Sequence, residues 1–272
     1  MKVDTVTIQD ATADEINDVE YWYGLAGASS GSTMGRELAA ARTDGLLGAA
    51  LRGGTMRAKS LDRYHTMFDS VVARTLVLSA RCNAQTVGLL MLGPNPRLLQ
   101  LGPHYYDLNI RVLLGLAKLH CIAVAPDHRN KGTGSRLLGT ATNIARLSAF
   151  GELYGEFNAR HVCLESFYKQ RGFTVLEPYE GLNVTTAIGS LMYIQPADGD
   201  RLFTTTLAEP ATAPDPAAAE TPSLRGAWSD HGVTKPACGD DTSANQALRY
   251  NRIGTIRRCP SVTEGSPTRL AP

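Results

Sequence analysis

At 272 residues the chain has room for one or two domains. A net charge of +1 with 19% charged residues leaves no basic excess that would demand nucleic acid, and no run of 18 apolar residues offers a membrane span. The cysteines (Cys82, Cys121, Cys163, Cys238, Cys259) are scattered, odd in number and without a C-x-x-C pair, so no zinc or disulfide framework is expected.

The opening MKVDTVTIQDATADE lacks the apolar stretch of a signal peptide, and a cytoplasmic protein with reduced thiols and no metal is expected. Residues 3–9 alternate as a strand. Asp10, Thr12 and Asp14 offer helix caps, and a helix is expected from Ala13 to Tyr23. Residues 24–35 have loop composition. Arg36–Leu51 reads as a helix weakened by Gly45 and Gly48, and Ser60–Arg74 as a better one with Leu61, Tyr64, Met67, Phe68 and Val71 on one face. Thr75–Ala80 and Thr86–Leu92 read as two strands joined by a short turn. Residues 93–106 are irregular, and the apolar run Leu108–Leu116 fits a strand or an insertion equally.

Residues 119–148 carry the strongest pattern. Leu119–Ala125 is apolar on both faces, as a central strand must be, and Pro126-Asp127 stops it. A helix then begins within Gly132–Ser135, with Leu137, Leu138, Ala141, Ile144, Ala145 and Ser148 as its buried stripe. Between them, Arg129-Asn130-Lys131-Gly132-Thr133-Gly134 combines glycines, unpartnered first-turn N–H groups, a helix dipole and basic side chains. Such a turn is built to hold phosphate. It is neither a P-loop nor a dinucleotide fingerprint, because Gly-Lys-[Ser/Thr] is absent and position 137 is Leu137.

Further on, Leu153–Asn158 is a short strand and Val162–Gln170 a short helix capped at Arg171-Gly172. Phe173–Leu176 and Ser190–Ile194 are read as the last two strands. From about Pro196 the chain turns rich in Pro, Ala and Thr. A folded domain over 1–198, with a helical segment at 11–74, and a disordered tail over 199–272 are expected. The arginine-rich stretch 247–258 reads as part of a solvated tail.

The loop fits [Q/R]-x-x-G-x-[G/A] after strand-Pro, and Phe167-Tyr168-Lys169-Gln170-Arg171-Gly172-Phe173 follows at about 35 residues. Together they resemble the acetyl-CoA loop and the F-Y-x-x-x-G-F element of the GNAT superfamily of N-acetyltransferases. The resemblance covers roughly residues 75–195. It implies a mixed α/β fold, mostly antiparallel, with helices flanking the sheet, and acetyl-CoA as co-substrate. It implies that Arg129, Asn130, Lys131, Gly132, Thr133, Gly134 and Ser135 hold the CoA diphosphate. The backbone of Ile122, Ala123 and Val124 would take the pantetheine arm, and Tyr168 would protonate the departing thiolate. Many members carry a glutamate on the central strand as base, whereas here Lys118 and His120 stand there. His120, with an unperturbed pKa near 6.5, is the candidate base, with Glu165 and Asp107 as weaker ones. Tyr21, Trp22, Tyr23 and Tyr64 are candidate acceptor contacts, with core packing as the commoner use of such residues. The acceptor is an unspecified primary amine, of a small molecule, a protein or a nucleic acid. Oligomer formation stays open. The rival class is a non-catalytic acyl-CoA-binding module, and a weaker one a helix-rich interaction protein.

Overall fold

A computed structural model describes residues 5–28, 33–51, 66–100 and 103–207. The strands are β1 (Val6–Asp10), β2 (Leu76–Cys82), β3 (Gln85–Gly93), β4 (Leu116–Val124), β5 (Glu152–Asn158), β6 (Thr174–Val175), β7 (Leu182–Asn183), β8 (Tyr193–Ile194) and β9 (Asp200–Thr206). Seven of them form one sheet in the order β1-β2-β3-β4-β5-β9-β6. Only β4 and β5 pair in parallel, which requires the crossover helix between them. The fold is therefore mixed α/β and mostly antiparallel, as the resemblance implies.

The helices are α1 (Ala13–Asn17), α2 (Val19–Leu25), α3 (Met34–Thr43), α4 (Met67–Ala73), α5 (Tyr106–Gly115), α6 (Thr133–Leu147), α7 (Val162–Lys169) and α8 (Thr185–Ile188). The crossover helix α6 lays Leu137, Leu138, Ala141, Ile144 and Ala145 on one face of the sheet, against Leu78, Leu90, Leu119 and Leu153. Helices α1–α3 cover the opposite face through Ile16, Val19, Trp22 and Leu38 against Leu89, Met91, Cys121 and Ala123. Thr12 caps α1 and closes a capping box with Glu15. The Glu15 carboxylate also accepts from Thr86 Oγ1 at 2.7 Å and Ser79 Oγ at 3.0 Å, which fixes α1 to β2 and β3.

Several expectations are corrected. The helix expected over 13–23 breaks at Asp18, the C-cap of α1 and N-cap of α2. The helix expected over 36–51 ends at Thr43, because Gly45 and Gly48 adopt φ of 70° and 74°. Residues 60–65 of the next expected helix lie outside the described residues. The run Leu108–Leu116 is neither a strand nor plain insertion: it is mostly helix α5, burying Val112, Leu113 and Leu114. Ser190–Ile194 does not close the main sheet. Tyr193–Ile194 pairs with β7 in a separate hairpin. The strand that lies between β5 and β6 is β9, so a domain boundary at 198 falls short of the sheet. The Pro- and Ala-rich composition that follows hid this strand, although Leu202 and Phe203 are buried.

One buried cation ties the elements together. Arg74, 1% exposed, leaves α4 and donates to Leu113 O (3.1 Å), Leu114 O (3.3 Å), Ser148 O (3.1 Å) and, more distantly, Ala50 O (3.5 Å). The carbonyls of Leu113, Leu114 and Ser148 are end carbonyls of α5 and α6, which lack helical partners and carry the negative pole of each dipole. The guanidinium also sits 4.1 Å over the Phe150 ring. Arg74→Met should cost about 3 kcal/mol or more in urea unfolding, since it leaves several buried carbonyls unpaired. A loss below about 1 kcal/mol would show that water or backbone adjustment replaces the guanidinium.

Candidate active site

The sheet opens at its centre. Strands β4 and β5 pair from Leu116↔Glu152 to Leu119↔Gly155 and no further. Beyond that point β5 continues against β9 through Asn158↔Asp200, while β4 continues against β3 through Val124↔Gly88. The β3–β4 register also slips: Leu92 faces Leu119, but Met91 faces Cys121, so His120 is an extra residue in a bulge. The bulge turns the strand over. Leu119 packs with the α6 cluster, whereas Cys121 and Ala123 pack on the α1–α3 side.

After the bulge the hydrogen-bonding phase is set by Ala125 N–H donating to Val87 O at 2.9 Å. Alternation then directs the backbone groups of Ile122 and Val124 away from β3, toward the gap. Arg129 Nε takes the Val124 carbonyl at 3.0 Å. The Ile122 amide edge and the Val124 N–H have no strand beside them among the described residues.

The loop lies at the end of β4. Asn130 has φ of 59° and Gly132, the N-cap of α6, φ of 81°. The backbone N–H groups from Asn130 to Ser135 find no acceptor among the described residues. Arg129, Lys131 and Arg136 are exposed around them. Thr133 is buried, and its Oγ1 likewise has no partner among the described residues. The structure thus brings the loop residues and Ile122, Ala123 and Val124 to one end of one gap. Ala123 itself points into the core of the α1–α3 side and offers only backbone.

Tyr168 on α7 is 3% exposed. Its ring stacks on Phe203 (centroids 3.6 Å, 15° between planes), with Phe157, Phe167 and Phe173 around it. Burial, with help from the nearby Cys121 thiol, pushes its phenol well above the ordinary value. The group stays protonated at working pH and keeps its hydrogen to donate. Its hydroxyl has no partner among the described residues. Cys121 is pushed up to about 12 by burial, which keeps it a thiol and a poor nucleophile.

His120 departs from expectation. Burial, with the Lys118 charge beside it, lowers its pKa to about 4. Its Nε2 lies 3.1 Å from Pro94 O, so Nε2 carries the hydrogen and Nδ1 the lone pair. The imidazole is neutral and not poised near pH 6.5. Glu165 is occupied by Lys169 and Arg201, each at 2.7 Å, and Asp107 is exposed in the first turn of α5. Neither faces the gap. The carboxylate that does is Glu156 of β5, just past the last β4–β5 pair, in an ion pair with Lys118. Sequence reading missed it because it looked for an acid on β4. The signal was present: Glu156 interrupts the apolar middle of the strand, between Leu153 and Phe157. Of the candidate acceptor aromatics, Trp22 and Tyr23 are core residues, Tyr23 donating to Met91 Sδ, and Tyr21 is exposed. Tyr64 lies outside the described residues.

A family model described as an acetyltransferase (GNAT) domain matches residues 74–175, from the end of α4 to β6. Over those residues the chain is similar to GNAT acetyltransferases. No curated protein sequence matches the chain. Among solved structures it is similar to the ribosomal-protein-S18-alanine N-acetyltransferase of Escherichia coli, at 14% identity and TM-score 0.41 over 77% of this chain and 98% of that one. A Salmonella typhimurium protein solved with its cofactor acetyl-CoA gives 15% and 0.46 over 78% and 98%. A GNAT acetyltransferase of Streptococcus pneumoniae gives 14% and 0.44 over 75% and 100%. Among the described residues no helix is long and apolar enough to cross a membrane.

The state of His120 sets a pH dependence in this domain. The folded chain holds the ring unprotonated down to about pH 4, whereas the unfolded chain protonates near 6.5. The stability it contributes is complete above pH 6.5 and is lost as pH falls from 6.5 to 4, at up to about 1.4 kcal/mol per pH unit. His120→Gln, which keeps a donor for Pro94 O, should flatten the stability curve in that window. Parallel curves for the two proteins would show that the ring titrates normally.

Proposed function

We propose that the gap between β4 and β5 is where acetyl-CoA delivers its thioester to a primary amine. The observation that carries this reading is the end of pairing at Leu119↔Gly155, which leaves the Ile122 and Val124 backbone facing open space in line with the loop. Amides from Asn130 to Ser135, with Arg129 and Lys131, hold the diphosphate. The strand edge at Ile122 and Val124 pairs with the pantetheine arm, and an N–H of that edge polarises the thioester carbonyl.

The amine enters from the face opposite α6, where Lys118, His120 and Glu156 meet. The Glu156 carboxylate, ion-paired with Lys118, attracts an ammonium and takes one of its protons, which frees the nitrogen lone pair to attack the thioester carbon. Neutral His120 offers its Nδ1 lone pair to the amine or to a relaying water, and is an orienting group. Tyr168 donates a hydrogen bond to the departing sulfur. Full transfer from so weak an acid to a thiolate of ordinary basicity runs uphill, so hydrogen-bond donation is its contribution. Transfer is direct, because Cys121 is not ionised. The three described cysteines are free thiols, which fits a cytoplasmic enzyme.

Gly134→Asp tests the loop. A Cβ there meets only the Phe167 ring and Val124 at 3.7 Å, so the fold is kept while a negative charge enters the phosphate position. Calorimetry should find CoA binding abolished; unchanged affinity would remove the loop assignment. For the chemistry, purified protein with isotopically labelled acetyl-CoA and cell extract, read by mass spectrometry, names the acceptor. With it, Glu156→Gln and Tyr168→Phe should each lower kcat by about 10²-fold or more while CoA affinity holds. Full activity in Glu156→Gln would return the proton to His120 or to water.

A further inference from the structure

The element around Tyr168 contains a residue that the reading above leaves unused. Arg171 follows α7 in the turn to β6, yet its side chain reaches the first turn of α6. Nε donates to Ser135 Oγ at 3.0 Å, and Nη2 donates to the same oxygen. Nη1 donates to Phe167 O, and the guanidinium lies 3.8 Å from the centroid of the Phe167 ring. That ring packs 3.7 Å from where a Gly134 Cβ would stand. Arg171 is therefore held on a plane beside Gly134 and Ser135, with little freedom left to lose on binding.

Its hydrogen bonds are incomplete. A guanidinium has five N–H groups, and three are used. One N–H on each terminal nitrogen is left, and no carboxylate pairs with the group among the described residues. Ser135 Oγ accepts from Arg171 twice and keeps its own proton to donate. The unsatisfied amides from Asn130 to Ser135 face the same turn, and Thr133 Oγ1 is buried there without a partner. A fixed cation beside the positive pole of a helix is unfavourable by itself. Apart from the Ser135 oxygen, which already accepts from Arg171, the groups assembled here are donors, and an anion with several oxygens complements them.

We infer that Arg171 is a diphosphate-binding residue of the cofactor site, acting jointly with Ser135. This rests on the loop assignment above. When the diphosphate arrives, the two spare N–H groups and the Ser135 hydroxyl close on it from the α7 side, while the α6 amides hold it from the other. The residue is placed by the fold and not by the glycine loop, so cofactor affinity depends on α7 being seated.

Binding of CoA, 3′-dephospho-CoA and pantetheine to wild type, Arg171→Ala and Arg171→Lys, measured by calorimetry on the full chain, tests the inference. Charge-assisted hydrogen bonds of this kind correspond to about 10- to 100-fold in affinity. Arg171→Ala should weaken CoA and dephospho-CoA by the same factor in that range, and leave pantetheine, which lacks the diphosphate, unchanged. Arg171→Lys, which keeps the charge but not the fork, should fall between. A loss confined to CoA would assign Arg171 to the 3′-phosphate and overturn the proposal, as would unchanged affinity for all ligands. An equal loss for pantetheine would mark a merely structural role. Should Arg171→Ala fail to fold, Arg171→Lys and Ser135→Ala carry the same comparison. Wild type that binds no CoA at all would instead sink the loop assignment.

Discussion

The constraint on which the domain turns is that one pair of neighbouring strands stops being a pair. Strand β4 cannot follow β5 past Leu119↔Gly155, because each is committed on its outer side to a partner running a different course. The bulge at His120 adds twist at that point and rotates the side chains that follow. A sheet interior is the last place to leave amides unpaired, since each buried unsatisfied group costs about 1–3 kcal/mol. The gap is tolerable because it opens to the surface at the loop. It is also chemically specific, since an extended amide-bearing arm is what completes a strand edge.

The two faces of that gap are unlike. On the α6 side, a column of rings positions the phenol. Gly155 has no side chain, and a Cβ there would lie 2.3 Å from the Phe203 ring. Phe203 therefore rests against the β5 backbone, and Tyr168 stacks on Phe203. A glycine in β5 thus sets where an oxygen on α7 lies. On the opposite face the residues are charged or polar: Lys118, His120, Glu156 and, on the neighbouring strand, Asp200, whose carboxyl is raised by partial burial and the Glu156 charge. Thioester chemistry wants a dry donor on the sulfur side and a wet, charged approach for an ammonium. On the proposed reading the asymmetry of the sheet supplies both.

What could be read from the sequence followed from how local the interactions are. The strand–loop–helix unit at 116–147 is short-range, and its buried stripe emerged almost residue for residue. The conformation of the glycine loop was legible because its unpaired backbone N–H groups follow from the helix start. Strand β9 was not legible, since it draws its place from pairing with β5, some 50 residues earlier, and its own run Asp200–Thr206 is polar at both ends. Helix α5 was ambiguous because Leu108–Leu116 has no polar interruption to set a period. Glu156 and Arg171 were missed for the same reason as each other. Their partners, Lys118 and Ser135, stand 38 and 36 residues away, and nothing in either neighbourhood announces the contact.

Two arginines show how the same side chain serves structure and chemistry. Arg74 is buried and spends its guanidinium on carbonyls at the ends of two helices, where the dipoles supply partial negative charge. It is pinned between α4, α5 and α6 and has little left to offer a ligand. Arg171 is placed at the opposite pole of α6, where the dipole repels it, and its planar group is stacked and tethered but unfinished. Cations at the carbonyl end of a helix stabilise the folded chain. A cation held at the amide end is slightly unfavourable by itself, and on the proposed reading a bound diphosphate would relieve that repulsion.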